Sequence, residues 1–234
     1  MQTLYRFAVM AALVSAVPAA ARPTMLLTQD QFEPGRFLPP PPAPGSPRAL
    51  AELAELKQIQ AAATPDQVAA AAYDDKHEDG TIFAAAIGPA FDIGKLPATA
   101  AMIQTLRETE EGASNVAKPE FHRNRPWIAD PSVKTCTPHK PGPAANSYPS
   151  GHATIGFEMA VVLASLMPDK EGAILSRASL FAENRLVCGY HVRSDIVAGQ
   201  QFGTILALEL MQNGEFRNEM AAAKAELHTA HLIP

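Results

Sequence analysis

The feature that most constrains the fold of this chain is a long apolar stretch whose spacing is helical. From Ala153 to Met167 it reads ATIGFEMAVVLASLM, with Ile155, Met159, Val162, Leu163 and Leu166 recurring every three or four residues. Such a segment buries its apolar side only if other helices pack around it. The rest of the chain supplies them. Leu50, Leu53, Leu56 and Ile59 fall on one side of a helix in ALAELAELKQIQAAA, and TPDQVAAAAYDD follows with a threonine cap and a proline in its first turn. Met102, Ile103 and Leu106 predict a helix near Ala98 to Ala113, and two more are expected over Glu171 to Leu186 and Ser194 to Met211. Strand signals are almost absent, so the expected fold class is all-α, a helical bundle.

The N-terminal region is different. Residues 1–21 combine Arg6, an apolar run from Phe7 to about Val17, and small residues at Ala19 and Ala21, which reads as a cleaved secretory signal peptide. Residues 22–234 then form one domain, opening with a proline-rich arm over 22–48 that is expected to be extended, with folded helices beginning after it. No later segment has membrane-spanning length, so no stable membrane insertion is expected after cleavage. The formal charge of −5 becomes one unit more negative when Arg6 is removed, and such a surface offers no footprint for nucleic acid. Two cysteines, Cys136 and Cys188, admit either two buried thiols or, in an oxidising compartment, a bridge bracing the segment before His191.

Chemistry concentrates in three segments: KPEFHRNRP at Lys118 to Pro126, PSGH at Pro149 to His152, and NRLVCGYHVRSD at Asn184 to Asp195. Their cations suit a tetrahedral oxyanion, because a guanidinium presents a planar fork to oxygen and a lysine adds a point charge. His191 and Asp195 are four apart and would share a face if that stretch is helical. A carboxylate there fixes the imidazole tautomer and leaves the other nitrogen free, making His191 the candidate nucleophile. At a helix start the Ser150 hydroxyl and the backbone N–H groups of Gly151 and His152 point toward an anion, and His152 becomes the general acid and later the base. Lys118, Arg125 and Arg185 complete the cradle, and Pro126 is expected to end any helix that carries Lys118. The remaining histidines, His77, His122, His139, His228 and His231, show no ligand-like spacing, so no metal is expected. His139 and Lys140 are candidates for a substrate-facing loop.

The pattern K-x6-RP, PSGH and R-x5-H-x3-D resembles the signature of the phosphatidic acid phosphatase type 2 superfamily, which includes bacterial class A acid phosphatases, lipid phosphatases and vanadium haloperoxidases. The flanks FLPPPPAPGSP, KTCTP, SYPSGH and CGYH are similar to those of the class A acid phosphatases. The resemblance implies the vanadium-haloperoxidase-like helical fold. It also implies a periplasmic, metal-independent acid phosphatase without a cofactor, inhibited by vanadate and acting broadly on small phosphomonoesters, with phosphotransfer to alcohols as a side activity. Its roles fall on Lys118, Arg125, Ser150, Gly151 and Arg185 for phosphate, His152 for acid and base, His191 for the phosphohistidine and Asp195 for orienting it. One position departs: Asn184 stands where the family usually has serine, and an adjustment in how Arg185 is held is expected. A vanadium-dependent haloperoxidase is the nearest alternative, and a phosphate-binding protein without turnover the next. A homodimer is compatible with the sequence.

Overall fold

The computed structural model describes residues 25–138 and 145–234, and among these every regular element is helical. The expected signal peptide and the candidate loop residues His139 and Lys140 lie outside the described residues. In chain order the α-helices are α1 (Gln29–Phe32), α2 (Pro34–Phe37), α3 (Pro47–Ala62), α4 (Pro65–Asp74), α5 (Ala84–Ile87), α6 (Pro97–Phe121), α7 (Pro126–Ala129), α8 (Gly151–Leu166), α9 (Glu171–Val187), α10 (Arg193–Gln212) and α11 (Gly214–Thr229). None of them is long and apolar enough to cross a membrane.

Helix α8 is the axle of the bundle. All five of the apolar residues that mark it in the sequence are buried, and α10, α9 and α6 pack around it. Helix α10 lies close against α8 because it carries Gly199 and Gly203 one turn apart on the facing side. A Cβ at Gly199 would stand 2.5 Å from the Ser150 carbonyl oxygen, and one at Gly203 would collide with the Thr154 carbonyl. A smaller apolar cluster of Leu56, Val133, Ala182, Leu186, Val192 and Ile196 ties α3 to α9 and α10 next to the functional segments.

Side-chain caps mark where several helices begin. Ser46 and Thr64 accept from Ala49 and Gln67 backbone N–H groups, with Pro47 and Pro65 at the first helical position, and Asn213 caps α11. Three expectations need correction. The N-terminal arm is extended only in part, since α1 and α2 form single turns there, with Leu27, Phe32 and Leu38 buried and the Pro39 carbonyl accepting from Tyr148 Oη at 2.6 Å. Leu50 faces solvent at 59% exposure while Glu52 is buried at 6%, because Glu52 is needed inward as an ion-pair partner. Finally, α6 runs past Ala113 to Phe121 and ends at His122, which adopts the left-handed φ of 47°. Pro126 instead opens the short α7, where its missing N–H costs nothing.

Cys136 and Cys188 form a disulfide, with Cα atoms 4.6 Å apart. The Cys136 N–H also donates to the Cys188 carbonyl at 3.1 Å.

Candidate active site

The third segment is shaped by one glycine. After Cys188 caps α9, Gly189 takes φ 74°, and its N–H donates to the Leu186 carbonyl while Tyr190 N–H donates to the Arg185 carbonyl. This double closure is a Schellman turn, which a residue with a Cβ would strain, and here a Cβ would also collide with the Lys134 carbonyl. The chain reverses and delivers His191 just before α10. His191 therefore does not share a helical face with Asp195, as its spacing suggested. Asp195 is the third residue of α10, and its Oδ2 reaches back to accept from Val192 N–H at 3.1 Å and from His191 Nδ1 at 3.3 Å.

Those partners assign the His191 tautomer. Nδ1 carries the proton toward Asp195, so Nε2 presents a lone pair, and Arg125 Nη1 donates to it at 2.8 Å. Burial first, then the Arg125 and Arg185 charges, hold His191 far below the ordinary histidine range, so it is neutral. Asp195 is wholly buried, which pushes its carboxyl up. Against that, Arg123 donates to Oδ1 at 2.8 Å and Ser147 Oγ to Oδ2 at 2.7 Å. Arg123 was not anticipated from sequence. It also donates to Ser194 Oγ, and its Nη2 meets Glu52 Oε2 at 2.9 Å. A signal existed: Arg123 lies inside the first segment, two residues before Arg125, as a further cation among those that suit an oxyanion.

Arg125 is held by Nε donating to Asn146 Oδ1 at 2.8 Å and Nη1 to the Tyr190 carbonyl at 3.0 Å. Burial, reinforced by Arg185, lowers its pKa to about 10. Arg185 is buried over the Tyr190 ring, and its Nη1 donates to Asp75 Oδ1 at 2.7 Å. Its Nε has no hydrogen-bond partner, an unmet donor in a cationic pocket. Lys118 sits in the last turn of α6. Burial lowers its pKa, and Arg125 lowers it further, against Glu110.

Ser150 caps α8, accepting from Ala153 N–H at 3.4 Å, while its own N–H donates to the Asp195 carbonyl at 3.0 Å. That bond links the second segment to the third. His152, two residues on, places Nδ1 2.6 Å from Glu78 Oε1 and Nε2 3.4 Å from the Asp75 carbonyl. Burial and the Arg185 charge lower the His152 pKa. Burial opposes ionisation of Glu78 too, but the His152 hydrogen bond and charge bring that carboxyl down to about 2. Glu78 and Asp75 lie more than seventy residues before their partners, and no spacing in the sequence pairs them. Asn184 does not touch Arg185. Its Nδ2 donates to Asp74 Oδ2 at 2.7 Å, beside the Arg177 pair with Asp74, so it steadies the end of α4 from which neighbouring Asp75 grips Arg185.

The structure thus brings together all eight residues singled out in the three segments, and adds Arg123, Asp75 and Glu78. His122 stays structural as the α6 cap. Among the described residues no group of His, Cys, Asp and Glu is arranged to hold a metal ion.

The comparisons with known proteins agree with this geometry. A family model described as the PAP2 superfamily matches residues 98–219. The chain is 33% identical over 202 residues to an acid phosphatase of Zymomonas mobilis subsp. mobilis, covering 85% of this chain and 76% of that protein. It is 30% identical over 201 residues to a non-specific acid phosphatase of Providencia stuartii, covering 81% and 79% of the two chains. A non-specific acid phosphatase of Salmonella typhimurium is 29% identical over 199 residues, covering 82% and 79%. With more than half of its length matched to the family model, and the signature cations and histidines gathered at one place, this chain belongs to the PAP2 superfamily.

Proposed function

We propose that this protein is a secreted acid phosphatase that hydrolyses phosphate monoesters through a phosphohistidine at His191. The observation that carries the reading is the His191 tautomer: Nδ1–H is committed to Asp195, and Nε2 offers its lone pair at the centre of the cations. The names of the relatives support the same activity.

In this reading the phosphoryl oxygens take up Lys118, Arg125, the free Nε of Arg185, the Ser150 hydroxyl and the backbone N–H groups of Gly151 and His152. Arg125 turns from His191 Nε2 to the oxyanion. Nε2 then attacks phosphorus, and the ester P–O bond breaks with its electron pair on the leaving oxygen, which His152 protonates. Asp195 stabilises the positive charge that develops on the His191 ring. Water follows, giving its proton to His152 as its oxygen bonds phosphorus, and the P–N electrons return to Nε2. Glu78 holds His152 in position for both transfers. The grip is on the phosphoryl group alone, which supports a broad range of small phosphomonoesters and transfer to alcohols that replace water. None of these steps uses a metal.

Acid-quench labelling with a radioactive phosphomonoester tests the covalent step. Acid-labile, alkali-stable label is expected on the wild type and absent from His191→Ala, with turnover intact in chelator and inhibited by vanadate. No label on the wild type during turnover would refute the phosphohistidine.

A further inference from the structure

Behind Gly151 the pocket has a wall that this chemistry leaves unused. Glu110 comes from α6, about two turns before Lys118 and roughly a quarter-turn round that helix from it. Its Oε1 lies 2.9 Å from where a Cβ on Gly151 would stand, and Lys118 Nζ lies 3.6 Å from that point. Acid and lysine flank the same bare stretch of backbone at the start of α8. Ser114, one turn further along α6, donates its hydroxyl to Glu110 Oε1. From α8, Glu158 is fully buried, and neither of its carboxyl oxygens has a hydrogen-bond partner.

A carboxylate without donors in such a place is unfavourable as an ion. Burial, with Glu110 nearby, keeps Glu158 as the neutral acid. Burial likewise raises Glu110, to about 7, with Ser114 and Lys118 opposing, Glu78 from the segment ahead of α5 adding repulsion, and Arg107 from α6 offsetting part of it. His152 on α8 meets Glu78, and burial with the Arg185 charge lowers its pKa.

We propose that Glu110 is a positioning residue that ties anion binding to proton uptake through Lys118. As the neutral acid it leaves Lys118 to the phosphoryl oxygens. As the carboxylate it claims Lys118 and sets a negative charge beside Gly151, where the dianion must lie. This inference rests on the anion-pocket reading above and goes beyond it by naming the group that confines tight binding to acid and neutral pH.

Sulfate is the suitable probe, because its charge is constant where phosphate itself titrates. Calorimetry on the full chain is expected to show binding about tenfold weaker at about pH 8 than at about pH 6, as linkage to one group near neutrality requires. At about pH 7.5 the wild type should take up roughly one proton per sulfate, read from buffers of different ionisation heat, a measurement that needs no variant. In Glu110→Gln the pH dependence should shrink below about threefold and the uptake should disappear, while Glu110→Asp should retain both. Sulfate binding that is flat with pH in the wild type, or equally steep in Glu110→Gln, overturns the role of Glu110 alone. Absence of sulfate binding at every pH overturns the anion pocket as well.

Discussion

Arg123 contacts none of the groups that would meet phosphate directly, yet it holds in place the carboxylate that aims the nucleophile. Its guanidinium spans Asp195 and Glu52, both buried, and its side chain is only 12% exposed. Removing one member of such a set strands the others as uncompensated charges, which typically costs about 3–5 kcal/mol. Arg123→Ala is therefore expected to unfold at markedly lower urea, with the loss read from the denaturation midpoint. Arg123→Lys should recover part of it, since one ammonium cannot reach both carboxylates with the same fork. A midpoint for Arg123→Ala within error of the wild type would contradict the buried network. Asn184 belongs to this scale too: its difference from the usual serine is absorbed by Asp74, one peptide away from the residue that grips Arg185.

At the scale of elements, the site depends on how closely α10 lies against α8. The Ser150 N–H bond to the Asp195 carbonyl crosses that contact, so the helix carrying His152 and the helix carrying Asp195 share one backbone register. Gly203 makes the approach possible. Because the atom a methyl would meet there is backbone, the helices themselves must part. Gly203→Ala is expected to cost about 1–3 kcal/mol in chemical denaturation, despite the better helix propensity of alanine. An increase in stability would show that the contact is looser than described. Among the described residues, six of the seven helices of ten or more residues are legible from apolar spacing and caps, α11 being the one not expected, and the cations and histidines are legible as local patterns with their own chemistry. What escaped were relations between distant segments. Nothing in the spacing of Asp75 and Glu78 announces that they will hold Arg185 and His152. The His191–Asp195 spacing gives a shared face only if the stretch is helical, and the Schellman turn at Gly189 places His191 outside the helix. Leu50 likewise yielded its expected buried place because Glu52 had an ion pair to make.

For the whole molecule, the Cys136–Cys188 disulfide joins residues 52 apart and closes a loop that contains all of α8 and all of α9. Cross-linking restricts the unfolded chain, and a loop of this size corresponds to roughly 2–4 kcal/mol. Thermal unfolding with and without reductant, or of Cys136→Ser with Cys188→Ser, should show that loss in the midpoint. An unchanged midpoint would mean that the bridge constrains little.

The family match begins at residue 98, yet Glu52, Asp75 and Glu78 all precede it. A boundary drawn at that match would keep every signature cation and both histidines, and would discard the carboxylates that hold Arg185 and His152 and one of the two that hold Arg123. The reactive inventory and its scaffolding are thus encoded in different stretches of the chain. A minimal fragment or a graft of this centre onto another bundle inherits the chemistry only if the first helices travel with it.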